Sequence, residues 1–287
     1  MTVRKEADGR RSVAAEVEVP GTPESVWRAI ATGSGISSWF VPSRVEEHEG
    51  GTVVTSFGPG MDAVSTITRW DPPAGFTAES GEGPGAVATE WIVESRGGDT
   101  CVVRVVHRWF ADDDTWDGEY EGHAYGWATS FFRMLWLYLS HFPGRPCAQF
   151  QLTAFTDAPS LATFRTIRDA LGIDGTQPFA SAPGTPELAG VPERIEITDP
   201  DLLRIRTTSP QVVAALEGME GEEPELLLKL DRPAPGLAHI MVMRMGEQTM
   251  ISMRLHFFGE RAADVARDAE REWSDWLAAR FPQPVSP

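Results

Sequence analysis

Two histidines stand where a side chain that can carry a proton at neutral pH meets aromatic neighbours. His107 lies two residues before Trp109, and His123 lies four before Trp127. An imidazole so placed can act as a general acid or base, or can polarise a ligand carbonyl, with its pKa set by burial. The same positions also suit core histidines that bond a backbone carbonyl. Around them Trp39, Trp70, Trp91, Trp109, Trp127 and Phe131 supply the broad apolar surfaces that line small-molecule pockets. Any one of these rings is most simply a core residue. The argument for a lining rests on their number and on the separate segments that contribute them.

Other chemistries lack their signatures. There is no His-Glu-x-x-His or Cys-x-x-Cys spacing, and Cys101 and Cys147 are the only cysteines, so no zinc site or disulfide framework is expected. Gly33-Ser34-Gly35 is not a Gly-x-Ser-x-Gly elbow, and Gly81, Gly83 and Gly85 have no helix behind them to cradle a phosphate. Asp112 to Asp114 reads as a helix cap, because the spacing of a calcium loop is missing. The sequence therefore assigns no metal, no cofactor and no catalytic residue. The ligand-binding candidates are Trp39, Trp70, Trp91, His107, Trp109, His123, Trp127 and Phe131.

The elements that must position them are legible from periodicity. Val13, Ala15, Val17 and Val19 alternate with polar or small residues and predict a half-buried strand. Thr22-Pro23-Glu24 starts a helix, since the hydroxyl satisfies an orphan amide and proline has none to lose. That helix runs through Ile30; Gly33 and Gly35 are expected to break it, and a second short helix follows over residues 36–40. From residue 44 to 110, strands separated by Gly- and Pro-rich turns predict an antiparallel meander. In its clearest strand, residues 100–110, Cys101, Val103, Val105, His107 and Trp109 share the inward face, opposite Arg104 and Arg108. Trp91 and Val93 then point in, and Glu90 and Glu94 out. A helix is expected over residues 116–141, with an apolar second half that must be covered on all sides.

Pro143-Gly144-Arg145-Pro146 marks a boundary. Beyond it the order strand (148–155), helix (161–171), strands near Ile195, Leu203, Leu226 and Ile240, a strand over 248–258 and a helix over 261–281 repeats the first plan. The reading is two domains, residues 1–145 and 146–287, the second a divergent copy of the first.

Charge and composition narrow the partners. The chain of 287 residues carries 25 Lys plus Arg against 42 Asp plus Glu, a formal net charge of -17. Nucleic acid and anionic membrane surfaces are poor partners, because both need clustered cations. The charged N-terminus leads into no long apolar run, so neither a signal peptide nor a membrane anchor is read, and a reducing cytoplasm is expected.

The block Val26-Trp27-Arg28-Ala29-Ile30, then Ser38-Trp39-Phe40, Gly50-Gly51 before a strand, and His123 with Gly126-Trp127 resemble the START-like or Bet v 1-like (SRPBCC) superfamily. Within it the resemblance is to the family of the activator of Hsp90 ATPase C-terminal domain, over residues 12–142. It implies an α+β helix-grip fold, a curved antiparallel sheet around a long C-terminal helix with a hydrophobic cavity between them. Three functions fit. One is binding of a small hydrophobic or aromatic molecule in that cavity, without a reaction. Another is a co-chaperone-like module that meets a protein partner or a second copy of itself. The last is a cyclase- or hydratase-type enzyme in which His107 or His123 moves a proton.

Overall fold

The computed structural model describes residues 4–5, 10–58, 60–81, 86–110, 130–174, 177–192 and 225–282. They form two compact units that divide between Gly144 and Arg145. His123, Trp127, residues 116–129 of the expected long helix, and the expected strands near Ile195 and Leu203 lie outside the described residues.

In the first unit β1 (Arg4–Lys5), β2 (Arg10–Pro20), β3 (Ser43–Val45), β4 (Thr52–Ser56), β5 (Asp62–Asp71), β6 (Gly75–Ser80), β7 (Val87–Gly97) and β8 (Thr100–Phe110) make one antiparallel sheet. Its order is β1-β2-β8-β7-β6-β5-β4-β3, so the meander closes by laying its last strand against β2. Register pairs Val13 with His107, Ala15 with Val105 and Val17 with Val103. That alignment puts the apolar positions of both strands on one face, where each of the five valines and alanines is buried. The opposite face carries Arg104 paired with Glu16 at 2.9 Å and Arg108 paired with Glu90 at 2.6 Å.

Helix α1 (Pro23–Ala31) begins as its sequence requires: Thr22 Oγ1 accepts from the Ser25 amide at 3.4 Å, with Pro23 in the first turn. The first helix ends at Ala31 with an extended Thr32, close to the expected break, but Gly33 and Gly35 lie inside the next helix and not between the two. Helix α2 (Gly33–Ser37) instead starts at Gly33, because Thr32 caps it by accepting from the Gly35 amide at 3.0 Å, and Trp39 and Phe40 follow the helix. Gly35 allows this fold-back. A Cβ there would collide with the carbonyl oxygen of Arg28 in α1.

Helix α3 (Phe132–His141) packs on β2, and none of its residues is exposed, as a helix apolar nearly all round demands. Tyr138 Oη accepts from the Gly144 amide at 3.1 Å and closes the turn after it. A curved antiparallel sheet holding a terminal helix on its inner face is the helix-grip, α+β architecture.

The second unit has β9 (Cys147–Thr156), α4 (Ser160–Leu171), β10 (Phe179–Ala180), β11 (Ala189–Pro192), β12 (Glu225–Arg232), β13 (Gly236–Met245), β14 (Gln248–Phe258) and α5 (Ala262–Arg280). Its order β10-β11-β12-β13-β14-β9 again pairs the last strand with the first. The plan of the first unit thus recurs in topology as well as in element order. Ile251, Met253, Leu255 and Phe257 of β14 meet Phe164 and Ile167 of α4 and Trp273 and Leu277 of α5 in one buried core.

Candidate functional site

The inner face of the first sheet is set by strand parity and one irregularity. Ile67 of β5 faces Ala78 and Trp70 faces Phe76, although Ile67 and Trp70 are three residues apart and a regular strand would turn them to opposite faces. A register shift between Ile67 and Arg69 inserts the extra residue that brings Trp70 back to the inner side.

There Trp70 meets Trp27 of α1, ring centroids 4.8 Å apart and edge to face, and both contact Phe76 at 5.6 and 6.0 Å. Phe76 stacks on Trp91 at 6.3 Å; Trp91 meets Trp39 and Phe132, each at 6.4 Å. Six rings from α1, the segment after α2, β5, β6, β7 and α3 therefore form one connected cluster in the offset and T-shaped geometries that aromatic pairs favour. Trp39 is 2% exposed, and its Nε1–H donates to the Ala29 carbonyl at 2.9 Å. This bond satisfies one of the carbonyls that the last turn of α1 leaves without a helical partner. Trp39, Trp70 and Trp91 consequently pack mainly on other rings.

A second zone lies towards the other end of the same face. Phe40 links the two, 5.5 Å from Trp39, 4.7 Å from Phe131 and 5.7 Å from Phe57. Across the strands here the inward positions are Arg11 and Val13 of β2, His107 and Trp109 of β8, Val87 and Thr89 of β7, and Ala78 and Ser80 of β6. His107 and Thr89 are direct cross-strand partners, and His107 Nδ1 lies 3.0 Å from Thr89 Oγ1. Depending on tautomer the imidazole donates to the hydroxyl or accepts from it, so the ring is held in one orientation. Further along, burial fades: Ile67 is 1% exposed, Ser65 is half-buried and Ala63 is exposed, while Thr55, opposite Ala63, is half-buried. These inward-facing positions are small and in part reached by water, and Phe57 follows Thr55 at the end of β4.

Among the described residues no group of three or more His, Cys, Asp or Glu side chains has the placement to hold a metal, and no helix is long and apolar enough to cross a membrane. Cys101 is buried, its Sγ donating to the Gly21 carbonyl at 3.3 Å; burial first and the Glu24 carboxylate second push its thiol pKa up.

No protein-family model matches the sequence, and no curated protein matches it. Solved structures do. The chain is similar to CalU16 from Micromonospora echinospora, 21% identical over 49% of this chain and 83% of that one, with a TM-score of 0.39. It is similar to the di-domain ARO/CYC BexL, 16% identical over 94% of this chain and 95% of that one, TM-score 0.41. The third is the Aha1 dimer from Colwellia psychrerythraea, 18% identical over 45% and 96%, TM-score 0.39.

Of the eight candidates, the structure divides the described six. Trp39, Trp70 and Trp91 sit in the packed cluster, whereas His107 and Trp109 occupy inward positions of β8 in the second zone and Phe131 contacts Phe40. Sequence reasoning left Phe57 and Arg11 out of the site. Phe57 follows β4 in a loop with no period to read, and Arg11 only extends the inward parity of Val13 by two positions. Thr89 was identifiable in the same way, two residues before Trp91.

Proposed function

We propose that the first unit binds a small hydrophobic or aromatic molecule on the inner face of its sheet. The apolar body of the ligand rests against Phe40, Phe57, Phe131 and Trp109, and a polar substituent meets His107 and Thr89. One observation supports this reading above the others. Inward positions at Thr55, Ala63, Ser65 and Thr89 are small and partly accessible beside an aromatic set, where a filled core would bury them.

Native mass spectrometry of freshly purified protein, with titration of 8-anilinonaphthalene-1-sulfonate, tests it. A retained small molecule or saturable dye binding, weakened at least tenfold in His107→Ala or Phe131→Ala, is the expected result. Absence of both removes the proposal. The reading includes two helix-grip domains, residues 1–145 and 146–287, and a protein that works in the cytoplasm, which Cys101 and Cys147, present as thiols, favour.

The ring-on-ring packing of Trp27, Trp39, Trp70, Phe76 and Trp91 favours a second reading, a protein-interaction module whose inner face is closed and which meets a protein partner or a second copy. A first unit that takes up neither ligand nor dye but elutes as a dimer supports that alternative.

A further inference from the structure

Methionine is concentrated in one hairpin of the second unit. Of the nine methionines in the chain, Met241, Met243, Met245, Met250 and Met253 fall between residues 241 and 253. Strand parity separates them. Ala238, Ile240 and Val242 of β13 and Ile251, Met253 and Leu255 of β14 belong to the buried core, so Met241, Met243, Met245 and Met250 stand on the opposite face. Register then gathers these four. Met250 lies directly opposite Met243, and its two diagonal neighbours on β13 are Met241 and Met245. Opposite side chains have Cβ atoms about 5 Å apart and diagonal ones roughly 7–8 Å, distances that the long, unbranched methionine side chain spans. The two-residue turn Gly246-Glu247, with Gly246 at φ 61°, fixes that register.

These thioethers meet solvent. Met245 is 51% exposed, and Met243 and Met250 are half-buried. Strand positions reached by water are ordinarily filled by polar or β-branched residues, so a row of sulfurs here calls for a reason. The Met241 sulfur is already engaged by Arg254 Nη1 at 3.9 Å, which leaves Met243, Met245 and Met250 as a set of three. Negative charge borders this set. Glu247 is exposed in the turn, and Asp157 accepts from Nε2 of Gln248, the residue opposite Met245, at 3.3 Å. Arg244, on the parity of Val242, donates from Nε to the Gly246 carbonyl at 3.0 Å.

We infer that Met243, Met245 and Met250 form a site for a soft monovalent cation, copper(I). Thioether sulfur selects copper(I), whereas zinc(II) takes thiolate, imidazole or carboxylate and calcium takes oxygen. The donors are neutral and the ion enters and leaves as copper(I), so no proton or electron is exchanged. The inference does not rest on the ligand-binding reading of the first unit.

The test is an anaerobic titration of the full chain, labelled with carbon-13 at its methionine methyl groups, with copper(I) supplied as its acetonitrile complex. The methyl signals of Met243, Met245 and Met250 are expected to move together with one midpoint, while those of the buried Met134 and Met253 stay in place. Zinc(II) is expected to move none of them. Cys101 and Cys147 bind copper(I) only as thiolates, in competition with protons; the methionine response is expected to keep the same affinity at pH 5.5 and 7.5. Met250→Leu conserves volume, so Tm is expected to stay close to that of the parent. Its copper(I) affinity, read from the two remaining methyl signals in competition with bicinchoninate, is expected to fall at least tenfold. Met243→Leu is expected to do the same and serves in its place if Met250→Leu fails to fold. Methyl signals that stay still, that move with separate midpoints, or that keep the parental affinity in these variants each overturn the inference.

Discussion

Replacing Trp39 by phenylalanine tests whether the indole holds α1 against the sheet. The substitution keeps an aromatic ring near Phe40 and Trp91 but deletes the N–H that donates to Ala29 at 2.9 Å. The Ala29 carbonyl is then left without that donor in a buried setting, which costs about 1–3 kcal/mol. Loss of the second ring from a site that is 2% exposed adds on the order of 1 kcal/mol of unfilled space. The expected destabilisation is about 2–4 kcal/mol. Because the chain has two compact units, native-state hydrogen exchange read on amides of α1 and β7 is the appropriate assay, with β14 amides as the internal control. Protection in the first unit is expected to fall by roughly two to three orders of magnitude, the equivalent of that free energy, while β14 is unchanged. A change of less than tenfold in α1 refutes the argument that this bond closes the helix end.

Ala63→Trp places a large ring at the exposed end of the inward-facing row of β5; dye or ligand affinity is expected to fall at least tenfold in fluorescence titration with Tm unchanged. Gly35→Ala forces a Cβ onto the Arg28 carbonyl oxygen and is expected to destabilise the first unit by about 3 kcal/mol or more in denaturant titration, as severe core substitutions do. Cys101, buried and with a raised thiol pKa, is expected to react with a disulfide reagent at pH 8 at least tenfold more slowly in the native chain than after unfolding. The Glu46 carboxylate accepts from the Thr52 amide at 2.8 Å, and its pKa is held below the ordinary 4.5 chiefly by hydrogen bonding from Thr52. Its support for the β3–β4 hairpin is therefore complete above that value and lost as pH falls through the lower folded pKa. Glu46→Gln is expected to flatten the acid dependence of exchange in that hairpin.

Much of this architecture was legible from residue order because its physical causes are local. The alternation from Val13 to Val19 and from Cys101 to Trp109 fixes which side of each strand faces inward; burial follows that parity along β2, while in β8 Val102 and Val106 on the other side are buried as well and His107 is half-buried. Thr22 and Pro23 specify a helix start without reference to the rest of the chain. What could not be read depends on contacts between distant segments. The bulge near Arg69 reverses the parity of Trp70, and no residue there announces it. Gly33 and Gly35 signal a break by composition, yet close packing against Arg28 makes glycine the residue that permits a helix. In β14 the alternation of Ser252, Arg254 and His256 with apolar residues points to a solvated side, and tertiary burial overrides it. The candidate site shows the same division. His107 and Trp109 were accessible to parity, whereas Phe57 enters only through the path of a loop.

Laying the final strand of each sheet beside its first has a consequence for synthesis on the ribosome. Arg10 cannot meet Phe110, nor Cys147 meet Phe258, until nearly the whole of the corresponding sheet has been made. Each nascent half must therefore keep β2 or β9 unmated on that edge through most of its translation. Such long-range closure slows folding relative to local pairing and leaves a sticky strand waiting. The alternating glutamates Glu16 and Glu18 on β2 give the first of those strands a charged side that discourages premature association.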